Sequence, residues 1–261
     1  MMKFCFILAS ISGREHLLRE FIASAKISKY KDCDFYLYFQ KTGAEEPDFD
    51  RSFFRDIIWS SSRDGVCLPR MRLLEKYPDY DFWIIVDDDV EFLGLENFEP
   101  MMKFLQVTPD AGIVVGTHKN NKKYYEKAVQ QKRMEVKNIS FIEGGAVISR
   151  KIRDLLLREI PMERIAYDGY SIITYVHGYT NYKYFGSVVL HKATNGNLGW
   201  VYVKRHESEF DGFFDKYICM RPDHMAKAGE LSLPDDELDL TPKARELHRR
   251  NKEAIANGEN S

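Results

Sequence analysis

No stretch of the 261 residues approaches the roughly 18 consecutive apolar positions that a membrane-spanning helix requires, so any membrane association is expected to be peripheral. The apolar positions 4–9 behind Lys3 are too few for the core of a secretory leader and fit a first buried strand. Cysteine is scarce: Cys5, Cys33, Cys67 and Cys219 are widely scattered and form no Cys-x-x-Cys pair, which signals neither a disulfide framework nor a zinc site. A reducing cytoplasm is the expected compartment. An excess of one charge is missing as well. The formal net charge of -2 excludes a globally basic nucleic-acid binder and leaves only local charge to speak for a partner. No internal repeat is visible.

What is present is the pattern of a folded α/β chain. Hydrophobic residues at 44% and charged residues at 30% are ordinary for a globular protein, which excludes disorder as a whole. Apolar runs alternate with helical periodicity from the first residues onward. Strands are expected over residues 3–11, 34–40, 56–60, 82–86, 111–116, 139–149 and 182–191. Helices are expected over 15–28, 69–76, 97–107, 124–133, 151–158 and 167–176. In the first helix Leu17, Leu18, Phe21, Ile22 and Ala25 fall on one face, which should pack on the sheet. Beyond about residue 200 the alternation stops and the chain turns polar, notably over 231–237. Thr241 followed by Pro242 is a good start for a polar helix over 243–256. The expected organisation is one domain over 1–200 with an appendage over 201–261.

The most informative segment is the buried strand at 82–86, which runs directly into Asp87, Asp88 and Asp89. Ligands of open α/β sheets collect at the carboxyl ends of strands, and three like charges there invite a divalent cation. Carboxylate oxygens suit Mg2+ or Mn2+, which also bridges to phosphates. On an extended strand adjacent side chains alternate, so Asp87 and Asp89 would share one side while Asp88 faces the other. Asp89 is the first choice as direct ligand. A solvated turn or a helix cap is the competing account of the same three residues.

Residues 7–18, the segment 65–74 with Arg70, the acidic run at 86–90, and Glu143-Gly-Gly-Ala followed by Tyr167-Asp-Gly-Tyr170 and His191, four places within residues 3 to about 200, together resemble the A-type glycosyltransferase fold, and in particular the family-two group of nucleotide-sugar transferases. Residues 7–18, Ile-Leu-Ala-Ser-Ile-Ser-Gly-Arg-Glu-His-Leu-Leu, look like that family's opening strand and loop, in which a polar turn with an arginine borders the nucleotide. Residues 65–74, with Arg70, are similar to its basic segment and helix before the acidic motif. Val-Asp-Asp-Asp-Val at 86–90 resembles its DxD metal motif. Glu143-Gly-Gly-Ala, then Tyr167-Asp-Gly-Tyr170, then His191 follow the order of its acceptor-side loop, acidic catalytic residue and late metal-binding histidine. Two departures stand out. Tyrosine, where the family often has glutamate, precedes Asp168. The glutamine and arginine-tryptophan signature of processive synthases is not visible, which argues for transfer of a single sugar.

The resemblance implies a single Rossmann-like domain with a mixed central sheet flanked by helices, and an inverting transfer from a nucleotide-diphosphate sugar. It implies that Asp89 and His191 ligate Mn2+ or Mg2+, while Asp87 binds the donor's ribose, a metal-bound water or the metal itself. Ser10, Arg14, Arg70, Asp87 and Asp88 become the expected donor-side contacts, Arg70 being favoured over Arg14 and Arg63 for the diphosphate. Asp168 is the implied general base, with Glu143 as runner-up and an N-cap as the structural alternative for Asp168. Gly144 and Gly145 would let the backbone approach donor or acceptor closely, or would mark a bulge.

Between residues 117 and 138 lies a locally basic stretch. Lys119, Lys122, Lys123, Lys127, Lys132, Arg133 and Lys137 face only Glu126 and Glu135. A solvated helix face accounts for it; a functional role would imply an anionic acceptor, such as a phosphorylated glycan, a phospholipid surface or nucleic acid. Glycosylation of a hydroxymethylated base in DNA is one specific version. Two further alternatives are a nucleotide-sugar binding protein without transfer, and a metal-dependent nucleotidyltransferase or phosphohydrolase.

Overall fold

The computed structural model describes residues 2–65, 67–119, 132–137, 145–159 and 170–192. The appendage over 201–261 with its helix at 243–256, and most of the helix expected at 124–133, lie outside them. Among the described residues, nine strands form one sheet in the order β3-β2-β1-β4-β8-β6-β9-β5, with β7 paired to β9. The first half is parallel: β1 (Phe4–Ile11), β2 (Asp34–Gln40), β3 (Asp56–Ser60) and β4 (Phe82–Ile85). The second half is mixed. β8 (Ala146–Ser149) runs antiparallel to both β4 and β6 (Ala111–Lys119), while β9 (Thr180–His191) runs parallel to β6. The short strands β5 (Val90–Glu91) and β7 (Met134–Val136) pair antiparallel with β9.

Helices cover both faces. On one, α1 (Glu15–Ile27) and α3 (Glu99–Val107) contribute Leu18, Phe21, Ile22, Met101 and Leu105 to a core with Phe6, Leu8, Phe35, Phe39 and Ile84 from the sheet. On the other, α2 (Cys67–Lys76), α4 (Arg150–Glu159) and α5 (Tyr170–Val176) pack against one another and on the sheet. Buried parallel strands must be apolar on both faces, and Phe82-Trp-Ile-Ile85 is: all four residues are buried. Trp83 turns to the second layer, where its indole N–H donates to the Tyr77 carbonyl (3.0 Å) and the Arg153 guanidinium lies over its ring. The helix α5 is fastened by Asn181, whose amide donates to the Ser171 carbonyl (2.8 Å) and whose oxygen accepts from Thr174 (2.8 Å). Among the described residues no helix is long and apolar enough to cross a membrane.

Helix ends follow local chemistry. Gly13 at φ 91 reverses the chain after β1, a conformation that costs glycine nothing. The Arg14 carbonyl then receives the first backbone bonds of α1, while Glu15 folds back to accept from the Gly13 N–H (2.7 Å). Arg14 therefore starts α1 with its backbone and leaves its side chain for another task. Pro69 falls in the first turn of α2, where its missing N–H costs no helical bond.

Candidate functional site

The β4 strand ends at Ile85, and the acidic triplet does not continue it. Asp88 and Asp89 lie in a turn that leads into β5, so the side-chain alternation of an extended strand does not apply to them. The turn nonetheless gives the three carboxylates different sets of partners. Asp88 points back toward β1, where it accepts from the Ser10 hydroxyl (2.5 Å) and from Arg14 Nε (3.0 and 3.2 Å to its two oxygens) and Nη2 (2.6 Å). Asp87 is ion-paired with Arg70. Asp89 accepts from Arg14 Nη2 (2.9 Å) through one oxygen and lies 3.4 Å from His191 Nε2 through the other.

Sheet register delivers the histidine. Val90 pairs with His191 across β5 and β9, and the Lys192 N–H donates to the Asp89 carbonyl (2.9 Å). The end of β9 is held in turn by Lys192, whose ammonium meets Glu20 of α1 (2.5 Å) and Glu91 of β5 (3.2 Å). Residues remote in sequence thus meet at the carboxyl end of the central parallel strand, the place where open α/β sheets take their ligands.

Asp87, Asp89 and His191 offer ligand atoms that all lie within 4.8 Å of one another. Asp89 Oδ1 is buried with no hydrogen-bond donor, an arrangement that costs about 1–3 kcal/mol or more for a charged acceptor. Burial first, and then the charges of Asp87 and Asp88, push the Asp89 carboxyl up to about 6, against the opposing pull of His191 and Arg14. Two carboxylates and an imidazole, with one acceptor oxygen left over, fit a divalent cation such as Mn2+ or Mg2+. Arg14 remains cationic: burial opposes its charge, but hydrogen bonds and charge from Asp88, then Asp89, outweigh burial and raise its pKa.

The other expected residues fall in different places. Arg70 is only 2% exposed, and its charge is directed at Asp87. Gly145 has φ 86, and a Cβ there would lie 2.8 Å from the Phe98 ring, so backbone conformation and packing account for its being glycine. Asp168, Glu143 and Gly144 lie outside the described residues, as do Lys122, Lys123 and Lys127. Of the basic stretch, Arg133 pairs with Glu135 (2.9 Å) beside β7.

One polar cluster escaped the sequence reading. At the ends of β2 and β3, Asp64 accepts from Tyr38, Ser60 and Ser62, and its N–H donates to Gln40 Oε1 (2.6 Å). Gln40 Nε2 donates to the Gly65 carbonyl (3.0 Å). This ties down the loop that leads into α2 and Arg70. The signal was a glutamine closing an otherwise apolar strand.

No family model matches the chain, and no curated protein matches it in sequence. Solved structures do match. A mannosyltransferase from Pyrobaculum calidifontis, PcManGT, in complex with GDP-Man and Mn2+, gives a TM-score of 0.56 at 13% identity, covering 97% of this chain and 81% of its own. TarS from S. aureus gives 0.53 at 12% identity, and the 98% of this chain that is matched spans 54% of TarS, about half its length. The fold is that of the A-type glycosyltransferases. At these identities the likeness carries the fold, and the site rests on its own geometry.

Proposed function

We propose that this chain is a metal-dependent glycosyltransferase that moves a single sugar from a nucleotide-diphosphate sugar to an acceptor hydroxyl, with inversion. The observation that supports it most is the convergence of Asp87, Asp89 and His191, one buried oxygen of Asp89 being left without a donor, at the carboxyl end of β4 in an A-type domain. These three residues would hold Mn2+ or Mg2+. A cation held there would supply positive charge against the departing nucleoside diphosphate. Ser10 and Arg14 keep the turn in place through Asp88, so that Asp87 and Asp89 present their oxygens together. Arg70 does the same for Asp87 from the α2 side. In this reading Asp168 takes the proton of the acceptor hydroxyl, with Glu143 as the alternative base.

The complex of PcManGT makes GDP-mannose the first donor to test and Mn2+ the first cation. A panel of nucleotide sugars should contain one that raises the melting temperature only when Mn2+ is present. With an acceptor, that donor should yield nucleoside diphosphate and a glycosylated product in equal amounts. Release of nucleoside monophosphate or inorganic phosphate instead would assign the site to phosphoryl chemistry and end this reading. Asp168→Asn should retain donor binding and lower turnover by about 100- to 10,000-fold. Near-parent turnover in Asp168→Asn, together with an inactive Glu143→Gln, would move the base to Glu143.

A further inference from the structure

Arg14 occupies an unusual position for a donor-binding residue, because it already spends its guanidinium on the protein's own acidic motif. Its Nη2 bridges Asp88 Oδ1 (2.6 Å) and Asp89 Oδ2 (2.9 Å), its Nε covers both oxygens of Asp88, and its side chain is only 16% exposed. With Arg70 on Asp87, two guanidiniums stand against three carboxylates among the described residues. Asp89 thus has one oxygen claimed by Arg14 and the other buried without a donor. A cation placed on Asp89 would meet the Arg14 charge at close range, and between two side chains so largely buried the repulsion is poorly screened.

We infer that Arg14 is a resident counter-ion that competes with the divalent cation for Asp89 and gives up that contact to the donor's diphosphate, so that cation and donor bind cooperatively. The inference rests on the proposed donor and metal reading. Free of donor, the guanidinium lowers the site's affinity for a cation. When the diphosphate arrives, its oxygens offer Arg14 an anion in place of Asp89, and a guanidinium forks onto phosphate as readily as onto carboxylate. The repulsion then turns into a shared attraction for the same anion. By linkage the cation must raise the affinity for the diphosphate by the same factor. No bond is made or broken in this exchange; only the partner of one N–H group changes. A site built this way stays weakly charged until both ligands are present, which discourages capture of cations without donor.

The test is the binding of Mn2+ alone at pH 8, followed from the loss of the free-ion electron paramagnetic resonance signal, on the full chain with and without GDP and UDP. Arg14→Gln should bind Mn2+ alone at least tenfold more tightly than the parent, and the nucleotide's enhancement of Mn2+ affinity should shrink at least tenfold. A merely structural role for Arg14 predicts unchanged or weaker Mn2+ binding, and that result in a variant with the parent's circular dichroism would overturn the inference. Should Arg14→Gln not fold, because it strands Asp88, Arg14→Gln/Asp88→Asn removes both buried charges and should show the same gain. Donor turnover by the parent protein judges the glycosyltransferase reading separately: parent turnover together with an Mn2+ affinity that Arg14→Gln leaves unchanged would sink the counter-ion role alone.

Discussion

The same four parallel strands carry a polar cluster at each end, and the two clusters are built differently. At the amino ends, Asp34 accepts from the Tyr80 hydroxyl (2.6 Å), which also shares a hydrogen bond with Tyr36 (2.7 Å). Asp56 accepts from Tyr77 (2.7 Å) and Lys76 (2.8 Å), and these bonds, Lys76 first, hold its carboxyl below the usual range despite some burial. Each aspartate there has its own donors, one per strand. At the carboxyl ends three consecutive carboxylates crowd one turn, two arginines answer them, and Asp89 Oδ1 remains without a donor. Its carboxyl is pushed up to about 6, the opposite direction from Asp56. A cluster that closes on itself holds a fold together, while one left open in a buried place has room for a ligand.

The strongest way to break this contrast is Asp89→Ala. Removing the carboxylate shared by His191 and Arg14 should abolish the Mn2+ dependence of donor binding and lower transfer by at least about 100-fold. Calorimetric titration of donor with and without chelator checks it; parent-like transfer in the presence of chelator would remove the metal from the mechanism. A smaller effect follows from pH. The folded Asp89 carboxyl lies above its unfolded value, so the folded cation-free protein holds this proton more tightly than the unfolded chain does. Its stability therefore falls as pH rises from about 4 through 6. A cation must displace that proton, so the apparent Mn2+ affinity should drop about tenfold per pH unit below 6 on account of Asp89. The rise in melting temperature given by Mn2+ should shrink accordingly between pH 7 and 5. A rise that does not change over this range would deny Asp89 a direct role.

How much of this was written in the sequence depends on the length scale of each signal. The parallel strands read clearly because strands buried on both faces are continuous apolar runs, as in Phe35 to Phe39 and Phe82 to Ile85. The two-residue β5 and the exposed three-residue β7 are too short to carry a period, and they were missed. The acidic triplet was visible, but its geometry was not, since a turn and not an extended strand separates Asp88 from its neighbours. His191 joins Asp89 only through the register of β5 on β9, which no local pattern encodes. Arg70 is the clearest case. An arginine in a helix ahead of an acidic motif suggests a diphosphate contact; here it is buried and ion-paired with Asp87, a placement set by packing that no local pattern encodes.

The smallest expected effect concerns the closed cluster, and it sharpens the contrast by being confined to stability. Tyr80 is 5% exposed, and burial first, then its bond to Asp34, raises its phenol above the ordinary range, so it donates to Asp34 as a neutral group at any working pH. Tyr80→Phe keeps the ring that packs edge-on against Trp83 and removes only the hydroxyl. The change strands Tyr36 OH and takes a charge-assisted bond from Asp34, a loss of about 1–2 kcal/mol, or roughly 2–8 °C in melting temperature for a domain of this size. Because the two clusters sit at opposite ends of the paired strands and share no residue, Mn2+ affinity should stay within about twofold of the parent, as is usual for distant sites with no shared partner. Melting curves and Mn2+ titrations on the same preparation measure both quantities. A tenfold change in Mn2+ affinity from Tyr80→Phe would show that the two ends of the sheet are coupled, and that the closed cluster helps to set the geometry of the open one.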